Sequence, residues 1–281
     1  MAKLVKKAAE LGFCPGVARA VETTMRAARS TPVFTLGRLV HNDVVVSELE
    51  AMGIAVIHSL DDARGLVAIS AHGVPAQVYH QLQHRGLKFI DTTCPIVRKA
   101  QQVASQLASE GYFVVVYGDP GHAEVKGLLD RAGPKSKAGL SVSSIFRGRL
   151  PKRLAILSQT TRLSHEVQAF VGELLTSLEK FQDIRIAVTL CSHVARRARE
   201  AASLASSTDL VVVVGDPQSS NSNRLVEWCN QFGYARLVSS ANMIDGEWQE
   251  LRVAQTVGVT SGTSSPNWLI DEVIDAIERL D

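Results

Sequence analysis

The chain has 281 residues, 46% of them hydrophobic and 5% aromatic. That is enough apolar surface for a substantial core packed mainly by small aliphatic side chains. Its 30 basic and 28 acidic residues leave a net charge of +2 with no block of one sign, which argues against nucleic acid or a membrane surface as partner. An anionic ligand must then be held by a local site and not by a global field.

The first segment, Met1-Ala2-Lys3-Leu4-Val5-Lys6-Lys7, is too polar for a signal peptide, and no run approaches the roughly 20 apolar residues of a membrane helix. Four cysteines without an export signal predict a cytoplasmic protein in which they serve as ligands, catalysts or buried fillers and not as disulfides.

Along the chain, Leu4 to Phe13 leads into Cys14-Pro15-Gly16-Val17, which opens an Ala-rich helix. Polar turns follow at Val40-His41-Asn42 and Ser70-Ala71-His72-Gly73, and the strand Phe89-Ile90-Asp91 leads to Cys94-Pro95-Ile96-Val97. Val97 to Ser109 carries apolar residues at helical spacing. The strand Phe113 to Tyr117 then runs into the turn Gly118-Asp119-Pro120-Gly121-His122-Ala123-Glu124. Gly133 to Gly139 is rich in Gly, Lys and Ser and reads as a surface loop. Leu154-Ala155-Ile156-Leu157 ends in Ser158-Gln159-Thr160-Thr161, and Ile184-Arg185-Ile186 precedes Cys191-Ser192-His193-Val194. The last third holds the strand Leu210 to Val214, the turn Gly215 to Asn221, the turn Ser261-Gly262-Thr263-Ser264 and a helix from Ile270 to Leu280. Continuous apolar runs alternating with helices suit strands buried on both faces of parallel sheets, an α/β architecture.

These elements repeat three times. The repeat predicts pseudo-symmetric α/β lobes at 14–93, 94–190 and 191–281, the last completed by residues 1–13. Cys14, Cys94 and Cys191 lie 80 and 97 residues apart, which is no short zinc or ferredoxin spacing. Equivalent positions in three lobes can nevertheless meet on a central axis, bind a metal centre and leave one coordination position open. Each of these cysteines begins a helix, where the dipole favours thiolate. Cys229 lies inside a helical pattern out of this register and reads as core filler.

Ligands of α/β sheets sit at the carboxyl ends of strands, where all six polar turns fall. Ser219-Ser220-Asn221 opens a helix and offers an anion cradle, joined by the hydroxyls of Thr160, Thr161 and Ser264 and by His41, His72 and His122. Taken singly, each is an ordinary cap or surface residue. Together they surround one centre with donors, and Glu124 is the main acid among them, a candidate proton donor.

The motifs Gly12-Phe13-Cys14-Pro15-Gly16-Val17, Ser70-Ala71-His72-Gly73-Val74, Asp91-Thr92-Thr93-Cys94-Pro95, Gly121-His122-Ala123-Glu124-Val125 and Ser219-Ser220-Asn221-Ser222-Asn223-Arg224-Leu225 resemble, almost end to end, the 4-hydroxy-3-methylbut-2-enyl diphosphate reductases of the non-mevalonate isoprenoid pathway. The resemblance implies a trefoil of three α/β lobes around one four-iron four-sulfur cluster held by Cys14, Cys94 and Cys191. It implies an oxidoreductase that removes the substrate's allylic hydroxyl with two electrons and two protons, giving isopentenyl and dimethylallyl diphosphate. His41, His72, His122, Ser219, Ser220, Asn221 and Ser264 would hold the diphosphate. Glu124 and Thr160 would sit near the hydroxyl, with ferredoxin or flavodoxin as electron donor. The sequence departs from the family pattern at Val194, where a threonine is usual, and at Asp119-Pro120. Alternatives are a divergent paralogue acting on another phosphorylated substrate, a non-catalytic iron–sulfur redox sensor and a three-cysteine zinc hydrolase. A sensor has no need of Glu124, Thr160 or the phosphate donors.

Overall fold

The computed structural model describes residues 3–148, 150–177 and 183–280; Met1 and Ala2 lie outside them. The elements begin with β1 (Leu4–Lys7), α1 (Pro15–Ala28), β2 (Val33–Leu36), α2 (Asp43–Ala51), β3 (Ile54–Ile57), β4 (Leu66–Ile69), α3 (Ala76–His84) and β5 (Phe89–Asp91). They continue with α4 (Pro95–Ser109), β6 (Phe113–Tyr117), α5 (Ala123–Ala132), β7 (Ser136–Gly139), α6 (Val142–Ile145), β8 (Arg153–Ser158), α7 (Ser164–Thr176) and β9 (Asp183–Ile186). The last are α8 (Ser192–Ser207), β10 (Leu210–Val214), α9 (Ser220–Cys229), β11 (Ala235–Val238), α10 (Gln249–Val253), β12 (Thr256–Ser261) and α11 (Asn267–Glu278). No helix among the described residues is long and apolar enough to cross a membrane.

The strands form three four-stranded parallel sheets ordered β3-β2-β4-β5, β7-β6-β8-β9 and β11-β10-β12-β1. One order recurs, with β1 pairing along β12 from Leu4 opposite Thr256 to Lys7 opposite Val259. In each set the two central strands have their outer neighbours on opposite sides: β3 and β5, β7 and β9, or β11 and β1. The crevice between those two carboxyl ends is the topological switch point at which α/β sheets take their ligands.

Three strands were not expected from the sequence: β3, β11 and β7, the last in the stretch Ser136-Lys137-Ala138-Gly139 read as a surface loop. Each is an edge strand with a single neighbour, so it needs only half of a strand's pairing. β6 supplies the backbone groups for β7, from Val114 opposite Ser136 to Tyr117 opposite Gly139, although this sequence has weak strand propensity.

The chain divides into two compact units. One, made of Met1–Arg19, Val40–Met52 and Ser192–Asp281, contains the β11-β10-β12-β1 sheet. Val212, Val214, Val257 and Val259 of that sheet pack on Ile270, Val273, Ile274 and Ile277, which recur at helical spacing on α11. The other unit, Ala20–Leu39 and Gly53–Cys191, contains the remaining two sheets. In its β7-β6-β8-β9 sheet, Val114, Val116 and Leu157 face Ala104, Leu107, Val125 and Leu128 of α4 and α5. Val115, Tyr117 and Ile156 face Phe170 and Leu174 of α7 on the opposite side. Covering both faces is why β6 reads as an unbroken apolar run. Each such fully buried side chain contributes about 1.5–3 kcal/mol.

Candidate active site

Five of the six polar turns singled out above directly follow the first or third strand of a set; Val40-His41-Asn42 comes four residues after β2. Within the second unit, the loop after β4 carries His72, that after β6 carries His122 and Glu124, and that after β8 carries Thr160 and Thr161. In the first unit, Ser219, Ser220 and Asn221 follow β10 and Ser264 follows β12.

The three cysteines share one backbone arrangement. The Cys94 N–H donates to the Ala71 carbonyl (2.9 Å), the Cys191 N–H to the Thr160 carbonyl (2.8 Å) and the Cys14 N–H to the Thr263 carbonyl (3.1 Å). Ala71, Thr160 and Thr263 each stand just past the third strand of their set, after Ile69, Ser158 and Ser261. Each cysteine directly precedes a helix: Pro15 of α1, Pro95 of α4 and Ser192 of α8. Proline at the first position costs no hydrogen bond there and presets the backbone for the helix. All three are half-buried, whereas Cys229 is fully buried. Burial pushes the Cys229 thiol up to about 12, as suits a core residue. Three half-buried soft donors at equivalent backbone positions fit the chemistry of an iron–sulfur cluster.

Thr160 joins this scaffold to the acid. Its N–H donates to Glu124 Oε1 (2.6 Å) and its hydroxyl to Glu124 Oε2 (3.1 Å), while its carbonyl accepts from Cys191. Glu124 is 1% exposed and Thr160 3%. Glu124 also sits in the first turn of α5, where a carboxylate suits the helix dipole. His122 caps that helix through Nδ1, which accepts from the Glu124 N–H (3.1 Å). The neutral ring therefore carries its proton on Nε2. The His72 and His122 rings meet edge to face at 5.2 Å.

In the first unit Ser219 caps α9 by accepting from Ser222 N–H (3.3 Å), with Ser220 and Asn221 in the first turn, half-exposed beside the helix's positive end. The Ser264 hydroxyl donates to the His41 carbonyl (2.9 Å), so the two residues meet through the His41 backbone. Asn42 caps α2 next to His41 by accepting from Val45 N–H (3.3 Å). Val194, at the family departure, is buried on α8, and Asp119 accepts from the Gly121 N–H (2.8 Å) to close its turn.

Two residues with structural hold on the site carried no role in the sequence reading. Arg197 of α8, 3% exposed, donates to the carbonyls of Gly12 (2.6 Å), Gly262 (3.0 Å) and Ser261 (3.2 Å). It thus clamps the segment before Cys14 to the loop that holds its N–H. A buried charge meeting carbonyls distant in sequence leaves no local pattern; its position on an Ala-rich helix face was the one available sign. Asp216 accepts from Asp43 N–H and Gln218 N–H (both 2.7 Å), tying the turn after β10 to the start of α2. Gly12 itself has φ +78°, and a Cβ there would lie 1.9 Å from Asn267 Oδ1, so glycine is required.

Residues 5–278 match the family model described as LytB protein. The 4-hydroxy-3-methylbut-2-enyl diphosphate reductase of Dehalococcoides mccartyi (strain CBDB1) is 38% identical over 280 residues, 98% of either chain. That of Geobacter sulfurreducens is 38% identical over 276 residues, covering 96% of this chain and 95% of its own. Among solved structures, the E-1-hydroxy-2-methyl-but-2-enyl-4-diphosphate reductase from Plasmodium falciparum matches with a TM-score of 0.90 at 27% identity, over 98% of this chain and 88% of that one. Matched over nearly its whole length and sharing more than a third of its residues with these relatives, the chain belongs to the LytB protein family.

Proposed function

We propose that this chain is a 4-hydroxy-3-methylbut-2-enyl diphosphate reductase, an oxidoreductase of the non-mevalonate isoprenoid pathway. The observation that carries the reading is the Thr160 junction: one residue holds the Glu124 carboxyl through its N–H and hydroxyl, and the Cys191 backbone through its carbonyl. An acid and a soft metal donor tied to one residue suit a reaction that needs both protons and electrons.

In that reaction the substrate's C–O bond breaks, two electrons and two protons enter, and the oxygen leaves as water with isopentenyl or dimethylallyl diphosphate as product. Cys14, Cys94 and Cys191 would hold a four-iron four-sulfur cluster. When bound, the cluster supplies the electrons and a Lewis-acidic iron for the hydroxyl. Ser219, Ser220 and Asn221 bind the diphosphate with hydroxyls, an amide and the N–H groups of the α9 start, and Ser264 adds a hydroxyl. His41, His72 and His122 donate to its remaining oxygens. Glu124 supplies the proton that turns the leaving oxygen into water, with the Thr160 hydroxyl, bonded to Oε2, as relay. Ferredoxin or flavodoxin delivers the electrons, in the cytoplasm. The recurring strand order supports three lobes at 14–93, 94–190 and 191–281 with 1–13.

The test is anaerobic turnover of the purified, iron-reconstituted chain with a reduced dye and 4-hydroxy-3-methylbut-2-enyl diphosphate. Both five-carbon diphosphates are expected. No consumption of this substrate by a brown, cluster-loaded preparation would overturn the reading.

A further inference from the structure

A polar cavity of about 600 Å³ lies in the second unit between α3, α4 and α5. Arg98, Arg131 and Tyr79 line it with one carboxylate, Asp91, and the neutral Gln102 and Gln106. Asp91 is fully engaged. It accepts from Arg98 (3.0 Å), the Tyr79 hydroxyl (3.0 Å), and the Thr93 N–H (2.9 Å) and hydroxyl (2.5 Å). Among the described residues no carboxylate pairs with Arg131. Its guanidinium lies 5.9 Å from the Tyr79 ring centroid, and its Nε is buried with no hydrogen-bond partner among the described residues. A buried guanidinium N–H without an acceptor is costly, and a water or an anion supplies one. Among the lining side chains two guanidiniums stand against one committed carboxylate; Glu110, which accepts from the lining Gln106 (2.9 Å), is itself paired with Arg185.

We propose that this cavity is a second anion site, taking the phosphate group of a small phosphate ester on Arg131 and Arg98. Guanidinium forks match phosphate oxygens in geometry and charge, and glutamine amides add donors. The cavity is far larger than a phosphate group, so it has room for the ester's organic part.

The probe is inorganic phosphate, titrated calorimetrically into the anaerobic, cluster-loaded protein. Arg131→Ala removes the unmatched guanidinium. Gln106→Glu, at an exposed position, places a negative charge in the cavity. Each variant is expected to lose one phosphate-binding event or weaken it at least about tenfold, as the loss of one charge-assisted contact does, with turnover in phosphate-free buffer near wild type. Circular dichroism identifies a misfolded Arg131→Ala, in which case Gln106→Glu decides alone. Phosphate binding of unchanged stoichiometry and affinity in a folded variant overturns the proposal.

Discussion

Glu124 is buried with both carboxyl oxygens bonded to Thr160. Gln at this position can keep both contacts: its Oε1 accepts from the Thr160 N–H, and its amide faces a hydroxyl that can also accept. What it cannot do is give up a proton. Glu124→Gln is therefore expected to keep its iron and bind substrate while turnover falls about 10²- to 10⁴-fold, read from anaerobic kinetics beside iron content. A role confined to the start of α5 would leave the rate near wild type. The cysteines divide in the same way. Cys191→Ser is expected to lose iron and visible absorbance. Cys229→Ser keeps both, at a stability cost of about 1–3 kcal/mol for a hydroxyl placed in an apolar site. Full iron content in Cys191→Ser would remove it from the ligand set. At this scale the sequence was most legible where chemistry is rare: three cysteines before helices, and one acid among many neutral donors. Arg197 and Asp216 stayed hidden because their partners are backbone groups, which every residue has alike.

Helix starts and the strand ends behind them form the next level. Ser222, in the first turn of α9, is wedged between two glycines: a Cβ on Gly215 would stand 2.4 Å from its Oγ, and one on Gly262 2.2 Å. The close approach brings the start of α9 down onto the ends of β10 and β12, which is where Ser219 to Asn221 present their donors. Gly262→Ala is expected to push α9 outward, cost about 1–3 kcal/mol as overpacking does, and raise KM for the diphosphate. Adding Ser222→Ala to that variant vacates the space and should restore most of both, measured by thermal unfolding and steady-state kinetics. An unchanged KM in the single variant would show that the α9 start does not depend on this contact. Central strands and Cys-headed helices were legible from apolar runs and spacing. Edge strands such as β7 were not, because half of what makes them strands is supplied by a neighbour and not by their own residues.

Across the whole molecule, one strand order appears in three sheets, and the repeat itself was visible as recurring cysteines and turns. The order was not, since it depends on which strands meet and not on what each contains. In the proposed cluster, ligands as far apart as Cys14, Cys94 and Cys191 would make the metal centre a long-range clasp, because each closed loop withdraws freedom from the unfolded chain. Anaerobic removal of iron is therefore expected to lower the unfolding temperature by about 5–10 °C, equivalent to a few kcal/mol in a chain of this size. Cys229→Ser should show the same decrement on iron removal. An unfolding temperature indifferent to iron would exclude such a clasp.

The hydrogen bond that anchors each cysteine is made by its main chain, to Ala71, Thr160 or Thr263. Such a bond survives any replacement except proline, so location and ligand chemistry are separable at these three addresses. Aspartate or histidine installed at position 14, 94 or 191 would start from the same backbone point as the thiol it replaces. For the proposed cluster, the scaffold would then serve as a socket in which the donor atom is exchanged one lobe at a time, and the electronic character of the centre tuned without redesigning the fold.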